Sequence, residues 1–464
     1  MRCPQRRAVG AGLVAASLAL ALTGRATAHG GSLSADDSRA LAVPLWLFLS
    51  TGGGVVGVSF LLTSFVTDRE LLRAVRERRR DVVLPSGVRR WLAICARAIG
   101  LLGLAAVLVV GVVGPAAPLS NLAVLVVWVG WWAGFTMTTY LVGNAWPVFN
   151  PWRVALPLRE RLPAPDWRLP ERVGSWPAVA GLLAFIWLEV VSPLAGDPRL
   201  LAGVVGAYSA LAVAGGFAFG EEWFERVDPI SRVFASFGAV APVYRDAGGS
   251  LGLRVPGTGL ESPDLVRDAS DVAFVVALLW VTTYDGLVAT PPWRGFATAI
   301  VGAGVPAAVL YPVALLAGFG VFLAIYRVAV SRGRRDAESY RDPLELANRF
   351  APSLLAIAAG YHVAHYLGYF IELSPALLGA LSAPLAPPAP VAVVLPPWFS
   401  VVSLGFVLLG HLGAIWVAHA VAYDLFPSRM QAVRSQYALT AAMVFYTMTS
   451  LWIVSRPYAA PPFV

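Results

Sequence analysis

Ten runs of apolar residues, each long enough to cross a bilayer, dominate this chain of 464 residues. A helix that spans the hydrocarbon layer needs about 20 residues. The runs fall at approximately 44–66, 91–113, 121–143, 176–194, 200–220, 271–290, 298–326, 352–373, 398–421 and 436–455. In lipid only helices and closed barrels satisfy their own backbone. The expected class is therefore all-α, a polytopic integral membrane helix bundle of about ten transmembrane helices. Charged residues make up 13% of the chain, against roughly a quarter in soluble domains, which excludes an ordinary soluble fold.

The formal net charge of +8 does not point to nucleic acid. All 35 basic residues are arginine, and they cluster in a few loops between the apolar runs. Arg2, Arg6 and Arg7, the apolar stretch 8–22 and Ala26-Thr27-Ala28 have the three parts of a secretory signal peptide. Cleavage after Ala28 would divide the chain into a signal peptide, 1–28, and a single transmembrane domain, 29–464, with its N-terminus outside. Loops 67–90, 144–175, 221–270, 327–351 and 422–435, with Arg97, would then be cytoplasmic and carry 27 arginines, against four in the outer segments. The positive-inside rule supports that orientation, and an even number of spans returns the C-terminus to the outside. The expected location is the plasma membrane. With Cys3 in the signal segment and Cys95 alone, neither a disulfide nor a thiolate metal site is expected.

Three cytoplasmic loops hold Asn150-Pro151, Asp228-Pro229 and Asp342-Pro343. A capping side chain followed by proline is a helix start. After Asp228, the spacing of Ile230, Val233, Phe234 and Phe237 suggests a helix lying on the membrane surface. The proline-rich stretch 374–397 reads as an extended outer loop over the helices that carry the histidines, either a lid or a connector.

Four of five histidines fall on two of these spans: His362 and His365 on one, His411 and His419 on the next. An ionisable group at bilayer depth is a functional candidate by default. At about 1.5 Å per residue, His362 and His411 come near the midplane, with His365, Asp285 and Glu189 roughly 5–6 Å further out. This agreement in depth nominates His362, His365, His411, Asp285 and Glu189 as metal ligands for Zn, Cu, Fe or Mn, with Tyr284, Tyr361 and Tyr366 as supporting donors. The competing reading is a set of hydrogen-bonded packing histidines. His419 lies roughly 12 Å deeper than His411, near Asp424, where it pairs with that carboxylate or a backbone carbonyl, or belongs to a second metal position. A processed N-terminal His29 would bring an amine and an imidazole together, a pair that chelates copper.

The residues Ala28-His29-Gly30, Asn150-Pro151-Trp152-Arg153, Tyr284-Asp285-Gly286, Ala351-Pro352-Ser353, Tyr361-His362-Val363-Ala364-His365-Tyr366, Gly410-His411 and Ala418-His419 carry a resemblance to a family of polytopic membrane proteins commonly called fenitrothion hydrolase. It runs over nearly the whole chain and implies an organophosphate hydrolase activity, without supplying catalytic residues. Three function classes follow. The first is a metalloprotein that hydrolyses phosphoesters through metal-bound hydroxide. The second is a transporter or metal-handling protein, with His29, the midplane histidines and His419 with Asp424 marking a path. The third is an electron carrier holding non-covalent haem b between His362 or His365 and His411. The chain lacks a nucleophile elbow, a Walker loop and a dinucleotide fingerprint.

Overall fold

The computed structural model describes residues 45–464 apart from 166, 247, 248 and 397. The expected signal peptide, its junction at Ala28 and His29 lie outside the described residues. Among the described residues, ten helices are long and apolar enough to cross a membrane. They are α1 (Leu45–Ser64), α2 (Ser86–Val113), α3 (Leu122–Leu141), α4 (Trp176–Val191), α5 (Pro198–Phe219), α6 (Ala269–Val288), α7 (Ala307–Asp336), α8 (Ser353–Ser382), α9 (Phe399–Leu425) and α10 (Tyr437–Val454). The fold is an all-α polytopic bundle.

Two boundaries differ from expectation. The run 298–326 covers two elements: a helix Pro291–Gly302, capped by Thr290, and α7. Apolarity is continuous across the break, but Gly304 takes φ +97° just before Pro306 and turns the chain. Second, α8 continues through Pro375 to Ser382, so the expected loop from 374 loses its first turns to helix. A proline within a membrane helix is tolerated where neighbours satisfy the freed carbonyl. The remaining loop folds back on α8, with the Val393 N–H donating to the Glu372 carbonyl at 3.0 Å.

All three Asx-Pro starts cap helices. The side chains of Asn150, Asp228 and Asp342 accept from the N–H of Trp152, Ile230 and Glu345. The helix Pro229–Gly238 does not lie on the surface, however. Val233, Phe234 and Phe237 are buried in protein, and Arg232 is buried with them. Loops 67–90 and 221–270 add a small antiparallel sheet that the apolar pattern does not announce. Its strands β1 (Arg79–Val82), β2 (Val243–Arg245) and β3 (Leu251–Arg254) run in the order β1-β3-β2.

Helix α6 is the axis of the bundle. Every residue from Ser270 to Gly286 is buried, as befits a helix apolar on all sides, and α4, α7, α8 and α10 pack around it. Helices α8 and α9 meet along small residues, Ala356 and Gly360 on one against Gly410 and Gly413 on the other. A Cβ at Gly410 would lie 2.6 Å from the Ala356 carbonyl oxygen, and one at Gly360 would lie 2.5 Å from that of Phe406. The two backbones touch there, the small-xxx-small mode of membrane packing.

Candidate functional site

The central feature is a carboxylate on α6 meeting an imidazole on α8. Asp285 Oδ2 lies 3.6 Å from His365 Nε2 and 3.4 Å from the Tyr366 hydroxyl, which donates to it. Asp285 is 5% exposed, so water contributes little to holding its charge. The next residue makes room for the site. A Cβ on Gly286 would come within 2.4 Å of the Tyr361 hydroxyl. Tyr361 stacks on His365 one turn later, with ring centres 6.1 Å apart. Thus Gly286 lets α6 and α8 approach closely enough for Asp285 to reach His365.

His362 faces elsewhere. Residues three apart on a helix differ by about 60° around its axis, and that turns His362 towards α3 and the helix Pro229–Gly238. Its Nδ1 shares a hydrogen bond of 3.0 Å with the Tyr140 hydroxyl. Trp132, Tyr140, Phe237 and Tyr366 surround the ring at centroid distances of 5.5, 5.8, 5.9 and 4.6 Å. Because α8 extends to Ser382, the middle of the helix falls at about residue 367. His362 lies roughly 8 Å from that point towards the N-terminal end of the helix.

His411 sits beside the α8–α9 seam. Its Nδ1–H donates to the Val407 carbonyl one turn earlier at 2.8 Å, and it is fully buried. The backbone contact at Gly360 and Gly410 fills the space between α8 and α9 that a porphyrin would need there. His419 shares a hydrogen bond of 2.9 Å with the Val66 carbonyl, not with Asp424. Asp424 instead accepts from Arg349 at 2.7 Å and lies 3.5 Å from Arg76. Glu189, buried on α4, lines an apolar cavity of about 470 Å³ whose wall includes Trp132, the ring that packs on His362 and Tyr366.

Of the five nominated ligands, the structure thus gathers Asp285 and His365, with His362 joined to them through Tyr366. Among the described residues no group of three His, Cys, Asp or Glu side chains is placed to hold a metal ion. Of the supporting tyrosines, Tyr361 and Tyr366 stand at the pair. Tyr284 turns away and donates to the Tyr311 carbonyl at 2.9 Å.

Tyr140 and Trp132 carry no signal along the chain, because their partner is more than 200 residues away. A second charged centre escapes the sequence too. Arg232 donates to Asp271 at 2.7 Å, and Asp271 also accepts from Ser175 at 2.7 Å. Burial lowers the pKa of the Arg232 guanidinium, and Asp271 opposes that effect. This ion pair pins the inserted helix Pro229–Gly238 to the start of α6. No family model, curated protein or solved structure matches the chain.

Proposed function

We propose that the protein is a proton-handling membrane transporter, with Asp285 and His365 as its intramembrane proton site. One observation carries the reading: two spans bring a buried carboxylate to 3.6 Å from an imidazole whose side chain is 31% exposed. Ionisable pairs at such depth are the usual elements of proton relays, and sites between helices near the middle of the membrane are where transporters hold cargo. Tyr366, His362 and Tyr140 continue the line from Asp285 along α8 to α3. Asp285 and His365 exchange the proton, and passage onward needs a water that relays it from this pair to the buried Nε2 of His362, whose Nδ1 is paired with Tyr140. The arginine distribution supports mature N- and C-termini outside, so the line would lead inward.

Hydrolysis by metal-bound hydroxide, the activity the resemblance implies, asks for three protein ligands and an open position. Two are gathered here, which favours transport over hydrolysis. A transition-metal cation as cargo would take Asp285 and His365 as its protein ligands.

The test is proton flux into proteoliposomes under an imposed pH gradient, read with an entrapped dye. Wild-type protein should dissipate the gradient. Asp285→Asn and His365→Ala should each slow it at least tenfold, while Glu345→Gln at the surface leaves it unchanged. Wild-type flux in the double variant Asp285→Asn/His365→Ala removes the basis of the proposal. Uptake of Zn or Cu without proton movement reassigns the pair to a metal cargo.

A further inference from the structure

A cleft of about 510 Å³ opens at the arginine-rich end of the bundle. It lies between the segment that leads into α6, the helix Pro343–Phe350 and the last turn of α9. Its polar lining is Arg267, Arg341, Glu345, Asn348, Arg349 and Asp424. The start of α6 is roughly 24 Å along the helix from Asp285. The cleft shares no residue with the line from Asp285 to Tyr140, so either proposal stands or falls alone.

The lining carries three guanidinium groups for two carboxylates. Two of the arginines are matched: Arg341 Nη1 donates to Glu345 at 2.5 Å, and Arg349 Nη2 to Asp424 at 2.7 Å. Among the described residues Arg267 has no carboxylate to itself. Its Nε lies 3.6 Å from Asp271, beyond hydrogen-bond reach, and Asp271 already balances buried Arg232 at 2.7 Å. Asn348 Nδ2 donates to the Arg267 carbonyl at 2.9 Å and fixes the segment that carries this surplus charge. The Arg267 side chain is 43% exposed, so an ion from solution or from the membrane surface can reach it. A guanidinium offers five N–H donors in a planar fork, so Arg341 and Arg349 keep donors beyond their pairings. Such forks match carboxylate and phosphate oxygens. A terminal phosphate has three acceptor oxygens and can meet three forks at once, which the two oxygens of a carboxylate cannot. We infer that the cleft binds a terminal phosphate group, as a free anion or on a lipid headgroup. Arg267 is its countercharge, and Arg341 and Arg349 complete the ring of donors.

The experiment has two arms on purified full-length protein. In the first, inorganic phosphate is titrated by calorimetry into protein in an uncharged detergent. In the second, protein in nanodiscs of nine parts phosphatidylcholine to one of phosphatidic acid is released, and its retained lipid is identified by native mass spectrometry. Saturable phosphate binding supports the site with a free anion as ligand. Selective retention of phosphatidic acid without binding of inorganic phosphate supports it with a lipid headgroup, and binding of both supports a site open to either. In each case Arg267→Gln should weaken binding at least tenfold, while Arg245→Gln on the exposed edge strand β2 leaves it unchanged. In wild-type protein the bound probe should also protect Arg267, but not Arg245, from phenylglyoxal, as mapped by mass spectrometry. Wild-type protein that holds neither probe overturns the proposal. So does binding that leaves Arg267 unprotected or that a folded Arg267→Gln protein retains in full. The protection experiment decides the matter even if the variant does not fold.

Discussion

Asp285 depends on its neighbour. An alanine at Gly286 would place its Cβ 2.4 Å from the Tyr361 hydroxyl and 2.7 Å from Ile453 Cγ2. One of those groups, or α8 itself, must then move away. Overpacking of this kind costs about 1–3 kcal/mol. Gly286→Ala should lower the thermal unfolding temperature in detergent and slow proton flux, because Tyr361 stacks on His365. Tyr140→Phe tests the other end of the line. It leaves buried His362 Nδ1 without its partner, at about 1–3 kcal/mol, and should slow flux while Asp285 and His365 remain intact. Depth along the chain was enough to nominate Asp285 and His365. It could not separate them from His411, because depth does not say which way a side chain faces around its helix. His411 turns its Nδ1–H back to its own helix at Val407, a choice made by packing at the α8–α9 seam.

At the scale of elements, that seam and the cytoplasmic loops make separate predictions. Gly410→Ala would drive a methyl group to 2.6 Å from the Ala356 carbonyl oxygen, with no flexible side chain to yield. It should destabilise the protein by about 1–3 kcal/mol, measurable as a lower unfolding temperature. The loops are tied by Arg76, which bridges Glu261 at 2.8 Å and Asp424 at 3.5 Å. Glu261 is 3% exposed, and burial raises its pKa although Arg76 works against that. Removing the arginine strands a buried carboxylate, whereas removing the carboxylate's charge leaves a partly exposed arginine with Asp424 nearby. Arg76→Ala should therefore cost about 3–5 kcal/mol, and Glu261→Gln distinctly less. The sign with pH follows from the raised pKa. Protonated Glu261 suits the folded state, so the deficit of Arg76→Ala should shrink as pH falls through the acid range. Helix starts at Asn150, Asp228 and Asp342 were legible because a cap is local. The burial of Phe237 was not, since the amphipathic pattern of Pro229–Gly238 fits a lipid surface and a protein groove equally well.

For the whole molecule, the number of spans was readable because the bilayer imposes a length on each. The boundaries at Gly302–Ala307 and Pro375 were not, since continuous apolarity hides a turn and a tolerated proline alike. The positive-inside expectation for the loop 327–351 has a direct check. Tyr340 is fully exposed, and Tyr340→Cys in a background without Cys95 should resist an impermeant thiol reagent on intact cells and react in inverted vesicles. Labelling from outside would reverse the topology, and with it the direction of the relay.

On the proposed function, Asp285 gains and loses a proton inside the bundle. Infrared difference spectroscopy over a pH titration observes this as the carbonyl stretch of a protonated carboxyl group. A band that appears and vanishes with pH, is absent in Asp285→Asn, shifts in His365→Ala and persists in Glu261→Gln and Glu189→Gln is the expected result. A spectrum in which Asp285→Asn changes no titrating carboxyl band would rule out Asp285 as the proton site.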